Sequence, residues 1–189
     1  MPIPTAKIAD CTKSAIFCFG TAYIFEQRAR SVRWRTNWLT FLGIANPIAV
    51  GATVGAFSAD SKITVVMMTL SAGLSVPLAV LSVWSLVAKW SDNLSYFLET
   101  KTDNYRLASQ YRQISQNPSL AEAEFEKQYS ILETQGQIRK AQDERYDISD
   151  KEKRKGMRAG LCEYQFPCAG CDTIPKSMES TFCPVCGQF

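Results

Sequence analysis

The chain has 189 residues, a formal net charge of +3 at pH 7 and no histidine. A length of this order fits one or two domains. The small net charge favours no particular class of partner, whereas the lack of histidine excludes any catalytic triad or general base built on an imidazole. The sequence also contains no glycine-rich phosphate loop and no G-x-S-x-G nucleophile elbow. We therefore predict that the protein is not an enzyme.

Residues 1–36 form a basic segment with six basic and two acidic side chains. Its apolar run, Ala15–Phe25, is only eleven residues long, which is too short to cross a membrane. Because Asp10 interrupts the leading region and no A-x-A cleavage site follows, a signal peptide is disfavoured. We interpret the segment as an interfacial or packing helix on the cytoplasmic side, with Cys11 and Cys18 as small core residues on one face.

Two long uncharged segments follow, Asn37–Ala59 with 23 residues and Ile63–Ala88 with 26. A helix needs about 20 such residues to cross a bilayer. Buried helices of a soluble domain are the alternative, but helices this long and uncharged rarely fit inside so short a chain. We predict a transmembrane hairpin of two helices over residues 37–88, with a tight turn at Asp60–Lys62.

Basic and aromatic residues cluster at the outer ends of both predicted spans. Cytoplasmic flanks of membrane helices carry an excess of lysine and arginine, and tryptophan favours the interface. We therefore predict that both termini are cytoplasmic. The residues that indicate this are Arg28, Arg30, Arg33, Arg35 and Lys89, with Trp34, Trp38, Trp84 and Trp90.

The two predicted spans differ in the side chains that can contact other helices. The first carries Gly51-x-x-x-Gly55, a ridge of small residues that lets helices pack closely. In the second, hydroxyl side chains fall within about 80° of one another on a helical projection. Polar groups in hydrocarbon face protein or water, so this stripe either packs against a helix or lines a pore in an oligomer. Its members include Ser71, Ser75, Ser82 and Ser85.

Residues 89–160 are predicted to form a cytoplasmic helical region. The spacing of apolar residues predicts a helix over 90–116 that continues the second span, and another over about 120–145. Asn117–Ser119 separates the two helices. Ser149 and Glu152 have the S-x-x-E spacing of a capping box, which predicts a short third helix.

Basic side chains recur in the second half of this region. They can contact the phosphates of an anionic ligand, such as a nucleotide. An ordinary solvated helix face is the alternative interpretation. The residues concerned are Arg139, Lys140, Lys151, Lys153, Arg154, Lys155 and Arg158.

Residues 161–189 contain two Cys-x-x-Cys pairs, separated by eleven residues. Four thiolates suit tetrahedral Zn²⁺, although iron can occupy similar loops. Catalytic zinc keeps one position open for water, whereas four cysteines close the shell, so we predict a structural Zn²⁺ in a small zinc ribbon. The predicted ligands are Cys168, Cys171, Cys183 and Cys186.

The whole layout resembles the mobilome CxxCx(11)CxxC group of the SLATT families. The resemblance rests on the two-span hairpin, the helical region and the spacing of the four cysteines. It implies a membrane effector of prokaryotic anti-phage defence, located in the inner membrane. Such effectors form homo-oligomeric pores, a tetramer being one candidate stoichiometry. Their trigger is a nucleotide or oligonucleotide made by a partner nucleotidyltransferase.

Together these predictions describe a mainly α membrane protein, with a transmembrane hairpin, cytoplasmic helices and a C-terminal zinc ribbon. We expect it to act as a gated pore in the lipid bilayer. The alternative is a membrane-anchored adaptor whose zinc ribbon recruits a protein or nucleic-acid partner without conducting ions.

Overall fold

The computed structural model describes residues 4–57, 61–117 and 120–189. It contains five helices and, within these ranges, no strand, which confirms the predicted mainly α fold. Residues 165–189, here called the cysteine segment, consist of turns and irregular chain. The helices are α1 (Thr5–Phe57), α2 (Lys62–Val87), α3 (Trp90–Ser115), α4 (Glu122–Asp143) and α5 (Asp150–Tyr164).

The chain divides into two compact units. The polar unit consists of residues 4–27 and 97–189, and the apolar unit consists of residues 28–96. We predicted four consecutive regions, 1–36, 37–88, 89–160 and 161–189. In the structure the start of the chain lies in the same compact unit as the C-terminal half, and α1 is continuous over Thr5–Phe57. The N-terminal segment and the first predicted span are therefore parts of one helix.

In the polar unit, α1 packs on α3 and α4 through small residues. Cys11, Ala15 and Cys18 are buried at alternating spacings of four and three, which place them on one helix face. They meet a cluster from α3 and α4 that includes Tyr111 and Phe125. The prediction that the two cysteines are core residues is confirmed, and burial raises the pKa of both thiols to about 12.

A buried arginine joins α3 to α4. The Arg139 guanidinium donates to Asp143 at 3.1 and 3.0 Å, to Asp103 at 3.1 Å and to Thr100 at 2.7 Å. It also reaches the Glu99 carboxylate at 3.3 Å. An arginine presents five N–H donors in a fixed fork, so these contacts fix the two helices against each other.

α5 begins with the predicted capping box. The Ser149 hydroxyl accepts from the Glu152 amide, and the Glu152 carboxylate accepts from the Ser149 amide at 3.0 Å. One prediction about continuity is wrong. α2 ends at Val87 and α3 starts at Trp90, because Lys89 takes a left-handed conformation with φ 49° that a continuous helix does not allow.

The apolar unit leaves most of its side chains exposed. Both α1 and α2 contain stretches that are long and apolar enough to cross a membrane, and within those stretches 0% and 6% of the residues are buried. The Asn46 amide donates to the Ser75 hydroxyl at 3.4 Å, joining the two helices. Of the predicted turn, Ser61 precedes α2 and Lys62 begins it, while Asp60 lies outside the described residues.

Candidate metal centre

Four cysteine sulfurs converge in the cysteine segment. The Sγ atoms of Cys168, Cys171, Cys183 and Cys186 all lie within 4.8 Å of one another. The Cys168–Cys183 and Cys171–Cys186 pairs are each separated by 3.9 Å. A tetrahedral zinc site with Zn–S bonds of about 2.3 Å has sulfur–sulfur distances of about 3.8 Å. The arrangement therefore fits one tetrahedral metal ion, with all four predicted ligands brought together.

Each Cys-x-x-Cys pair folds as a tight turn. The Asp172 amide donates to the Cys168 carbonyl at 2.8 Å, and the Gly187 amide donates to the Cys183 carbonyl at 2.9 Å. Both bonds join residues four apart, so the two pairs use the same turn. The Gly170 amide also points at the Cys168 sulfur at 3.4 Å, which stabilises negative charge on it.

The second turn favours a thiolate. Backbone N–H groups of Cys186 and Val185 lower the pKa of the Cys183 thiol to about 6. Burial, together with the neighbouring thiols, raises the pKa of Cys186. Since a metal ligand must be deprotonated, the lowered pKa suits Cys183 to hold a metal ion at neutral pH, and a bound ion would favour ionisation of the other three thiols.

Arg158 of α5 holds the cysteine segment. It is buried, and its Nε donates to the Ser177 carbonyl at 2.6 Å. Its Nη1 donates to the Cys186 carbonyl at 3.3 Å and lies 4.0 Å from the Cys186 sulfur. Zinc with four thiolates has a net charge of about −2. A guanidinium beside it offsets part of that charge and connects the segment to the helix.

The cluster rests on α1 as well as α5. Ile16 and Leu161 pack against Cys168, Cys183 and Cys186. The close approach of the helices depends on glycine: a methyl group at Gly160 would lie 2.5 Å from the Ile16 carbonyl oxygen, and one at Gly156 would lie 2.7 Å from the Gly20 carbonyl oxygen. The metal centre is therefore built on a helix pair that only glycine allows.

The predicted phosphate-binding residues divide into two groups. The guanidinium groups of Arg139 and Arg158 are engaged inside the protein, by carboxylates and by the cysteine segment respectively. The other residues are exposed or half-buried, on α4 and α5. Lys153 forms an ion pair with Asp150 at 3.3 Å. The remaining members are Lys140, Lys151, Arg154 and Lys155.

The predicted residues of the spans lie on open faces. No heavy atom of the described chain would come within 4 Å of a methyl group added at Gly51 or Gly55. In α2, the Ser75, Ser82 and Ser85 hydroxyls donate to carbonyls of their own helix, one of them that of Ser71. Ser75 and Ser82 are exposed, and Ser71 and Ser85 are half-buried.

Sequence reasoning missed two parts of this centre. Gly156-x-x-x-Gly160 has the same small-residue spacing that was noted at Gly51, but its charged surroundings concealed it. Arg158 shares a helix face with the exposed Lys151 by spacing, so no sequence pattern marks it as buried, but the structure buries it under the cysteine segment. The spare thiol Cys162 is half-buried, and burial raises its pKa.

These features define a helical protein with two candidate membrane helices and a four-cysteine site that can hold a metal ion. A family model described as mobilome CxxCx(11)CxxC protein matches residues 8–189, so the chain belongs to that family. The resemblance to the mobilome CxxCx(11)CxxC group, inferred from the layout and the cysteine spacing, is thereby confirmed. No curated protein and no solved structure matches the chain.

Proposed function

We propose that the protein is a membrane effector of anti-phage defence, of the SLATT type, which forms a homo-oligomeric pore gated by a nucleotide or oligonucleotide. In this proposal α1 and α2 cross the prokaryotic inner membrane as a hairpin, with both termini in the cytoplasm. The polar unit carries the ligand site, and a structural Zn²⁺ holds its cysteine segment. A partner nucleotidyltransferase supplies the ligand.

The observation that carries the proposal is the hydroxyl stripe of α2. Ser71, Ser75, Ser82 and Ser85 lie on one face of a helix whose other faces are apolar and exposed. Three of these hydroxyls already donate to carbonyls of their own helix. The Ser75 hydroxyl also accepts from Asn46, so acceptor lone pairs remain mainly on Ser82 and Ser85. A face of this kind suits water or cations inside an oligomer better than lipid.

The basic face of α5 supports an anionic ligand. Lys151, Arg154 and Lys155 follow the spacing of one helix face, and none has an acidic partner within the described residues. The Arg154 Nε is buried and has no acceptor there. We therefore restrict the proposed phosphate-binding set to these three, together with Lys140, and leave out Arg139 and Arg158.

Ion flux through liposomes containing the purified protein tests the pore. We expect flux to change when a nucleotide extract is added from cells that express the neighbouring nucleotidyltransferase gene. Ser71→Leu and Ser75→Leu should abolish the flux, because leucine fills the pore wall. Val80→Leu is the matched control, since Val80 is exposed and lies about 180° away from Ser71. A tight bilayer under both conditions, with the protein inserted and oligomeric, would contradict the proposal.

Ligand binding is tested by changing charge and salt. Phosphate contacts release counterions, so affinity should fall as salt rises. Arg154→Glu combined with Lys155→Glu should abolish binding of the active fraction, whereas Lys13→Glu combined with Lys127→Glu makes the same charge change on other exposed surfaces. Binding that is indifferent both to salt and to the first pair would place the ligand elsewhere.

A second candidate function is a membrane-anchored adaptor, and the cysteine segment favours it. Phe182 is 98% exposed, and Ile174 and Val185 nearby in sequence are also exposed. Large apolar side chains in that position are typical of contact with another macromolecule. The adaptor predicts binding of a partner without conductance. Phe182→Ser should then abolish the anti-phage activity, while liposomes stay tight with every nucleotide fraction.

A further inference from the structure

Helix α4 carries a second, exposed stripe that its packing in the polar unit does not use. Five residues follow one another at spacings of three and four, the pattern of a seam between helices. They alternate as glutamine, isoleucine, glutamine, isoleucine and glutamine. We call them the α4 stripe: Gln128, Ile131, Gln135, Ile138 and Gln142.

The isoleucines are exposed although this unit has a core. Ile131 is 49% exposed and Ile138 is 57% exposed. They are seven residues apart on one helix, so they lie about 10.5 Å from each other along its axis. The other exposed large apolar residues in the described part of the polar unit are on α1 or in the cysteine segment: Phe17, Ile174, Phe182 and Val185.

An open cavity borders each isoleucine. A cavity of about 350 Å³ between α3 and α4 is lined by Gln110, Ile131 and Gln135, and the Gln110 side-chain oxygen is buried there without a partner in the described chain. A second cavity, of about 190 Å³, is lined by Gln135 and Ile138. The surface thus offers two projecting side chains, each beside a recess that can accept one.

The order of residue types along the α4 stripe is the same in both directions from Gln135. Glu124 lies at the N-terminal end of the stripe on α4, and Arg145 follows two residues after the helix ends. A two-fold axis near Gln135 would therefore bring the Ile131 of one chain to the recess beside Ile138 of another. It would also bring Glu124 towards Arg145. Self-complementarity of this kind is what an interface between identical chains requires.

We propose that α4 pairs antiparallel with α4 of a second copy of this chain through the α4 stripe. The Arg139 ion pairs with Glu99 and Asp103 fix α4 on α3, so the stripe is presented by a rigid helix pair. Glutamines along the seam make the contact specific through side-chain hydrogen bonds. The pairing names a surface for the homo-oligomer of the proposed function and to that extent rests on it.

Crosslinking of cysteine variants tests the pairing in the full-length, metal-loaded protein in membranes. Cys162→Ser first removes the half-buried thiol. In an antiparallel pair Gln135→Cys crosslinks to itself through a short bismaleimide. Gln128→Cys crosslinks to Gln142→Cys when the two variants are mixed, and neither crosslinks strongly alone. Gln137→Cys is the control, because it is exposed on the same helix and lies about 200° away from Gln135.

Each outcome of this test decides the proposal. A several-fold higher yield at Gln135 than at Gln137, with the mixed pair positive, supports it. Equal yields at the two positions overturn it. So does self-crosslinking of Gln128→Cys and of Gln142→Cys, which requires a parallel pair, or crosslinking to a different protein. None of these readouts uses ion flux, so the pairing and the pore can fail separately.

Disruption of the stripe gives an independent check. Ile131→Glu combined with Ile138→Glu should reduce the Gln135 crosslink several-fold, while the helical content stays the same because both side chains are exposed. Gln137→Glu, which adds charge outside the stripe, should leave the crosslink unchanged. A crosslink that survives the double substitution would overturn the proposal.

Discussion

The two G-x-x-x-G motifs of this chain have opposite environments. Gly156 and Gly160 in α5 lie so close to α1 that an added methyl group would meet carbonyl oxygens at 2.7 and 2.5 Å. A methyl group added at Gly51 or Gly55 in α1 would meet no atom of the described chain within 4 Å. One motif is satisfied by the chain itself, whereas the other leaves a surface without a contact in its own unit.

This difference shows how the two units are stabilised. The polar unit buries its helices against one another and fixes them with ion pairs such as Arg139–Asp103. The apolar unit exposes large side chains along both helices, among them Phe41, Val76 and Leu86. In water such a surface would be a liability, but lipid or another copy can cover it. Because the units are stabilised differently, a change made in one unit should alter the stability of that unit and leave the other unchanged.

Metal removal should have the largest effect, and only on the polar unit. A structural zinc site contributes roughly 10 kcal/mol to folding of the segment that holds it. We expect a chelator, or Cys186→Ser, to release the metal and unfold the cysteine segment, while the predicted membrane-spanning segments of α1 and α2 remain protected from protease in liposomes. Thiol alkylation measures this directly, because four of the seven cysteines of the chain are the candidate ligands.

The buried cysteines outside the cluster are an internal control for the alkylation experiment. Cys11 and Cys18 are buried and their pKa values are raised to about 12, so they should resist alkylation near pH 8 with or without metal. Labelling of the ligand thiols at the same rate before and after chelation would mean that no metal is bound. Metal analysis of the untreated protein then distinguishes zinc from iron.

Much of the division into a polar and an apolar unit could be predicted from the sequence. Long uncharged runs and paired cysteines are local signals, and the structure contains two candidate membrane helices and brings the four cysteines together where a metal ion could bind. What the sequence concealed is long-range packing. That α1 joins the C-terminal half depends on Ile16 and Gly20 meeting Gly156 and Gly160, residues more than a hundred positions apart. The break between α2 and α3 depends on the left-handed conformation of Lys89 alone. The spacing of apolar residues in the sequence carries no signal for such a conformation.

Substitution of the two glycine motifs should have the next largest effect. Gly160→Val forces α1 and α5 apart, because valine would overlap the Ile16 backbone and side chain. Overpacking of this kind costs about 3 kcal/mol, so we expect a lower midpoint of thermal unfolding for the polar unit. Gly55→Val meets nothing in its own unit and should leave that midpoint unchanged.

The same two variants, Gly55→Val and Gly160→Val, also test whether the Gly51 ridge contacts another copy of the chain. If the Gly51 ridge packs against another copy, Gly55→Val should reduce the number of subunits per particle in detergent, measured by light scattering, while Gly160→Val should not. A Gly55→Val protein with an unchanged subunit number would show that this face meets only lipid. A Gly160→Val protein with an unchanged midpoint would contradict the close contact between α1 and α5.

Substitution of Arg158 should have the smallest effect, and it separates charge from hydrogen bonding at the metal centre. Arg158→Gln removes the positive charge beside Cys186 and leaves the carbonyls of Ser177 and Cys186 with weaker donors. Changes of this kind around metal ligands weaken metal affinity about 10- to 100-fold. Arg158→Lys keeps the charge but loses the planar fork. Competition with a chromogenic chelator measures the metal affinity of both variants.

If the positive charge of Arg158 dominates the effect on metal affinity, lysine restores most of the affinity, because it still offsets the negative cluster. If the fork dominates, lysine and glutamine weaken binding equally, because neither spans the Ser177 and Cys186 carbonyls. Wild-type affinity in both variants would mean that Arg158 serves the packing of α5 alone.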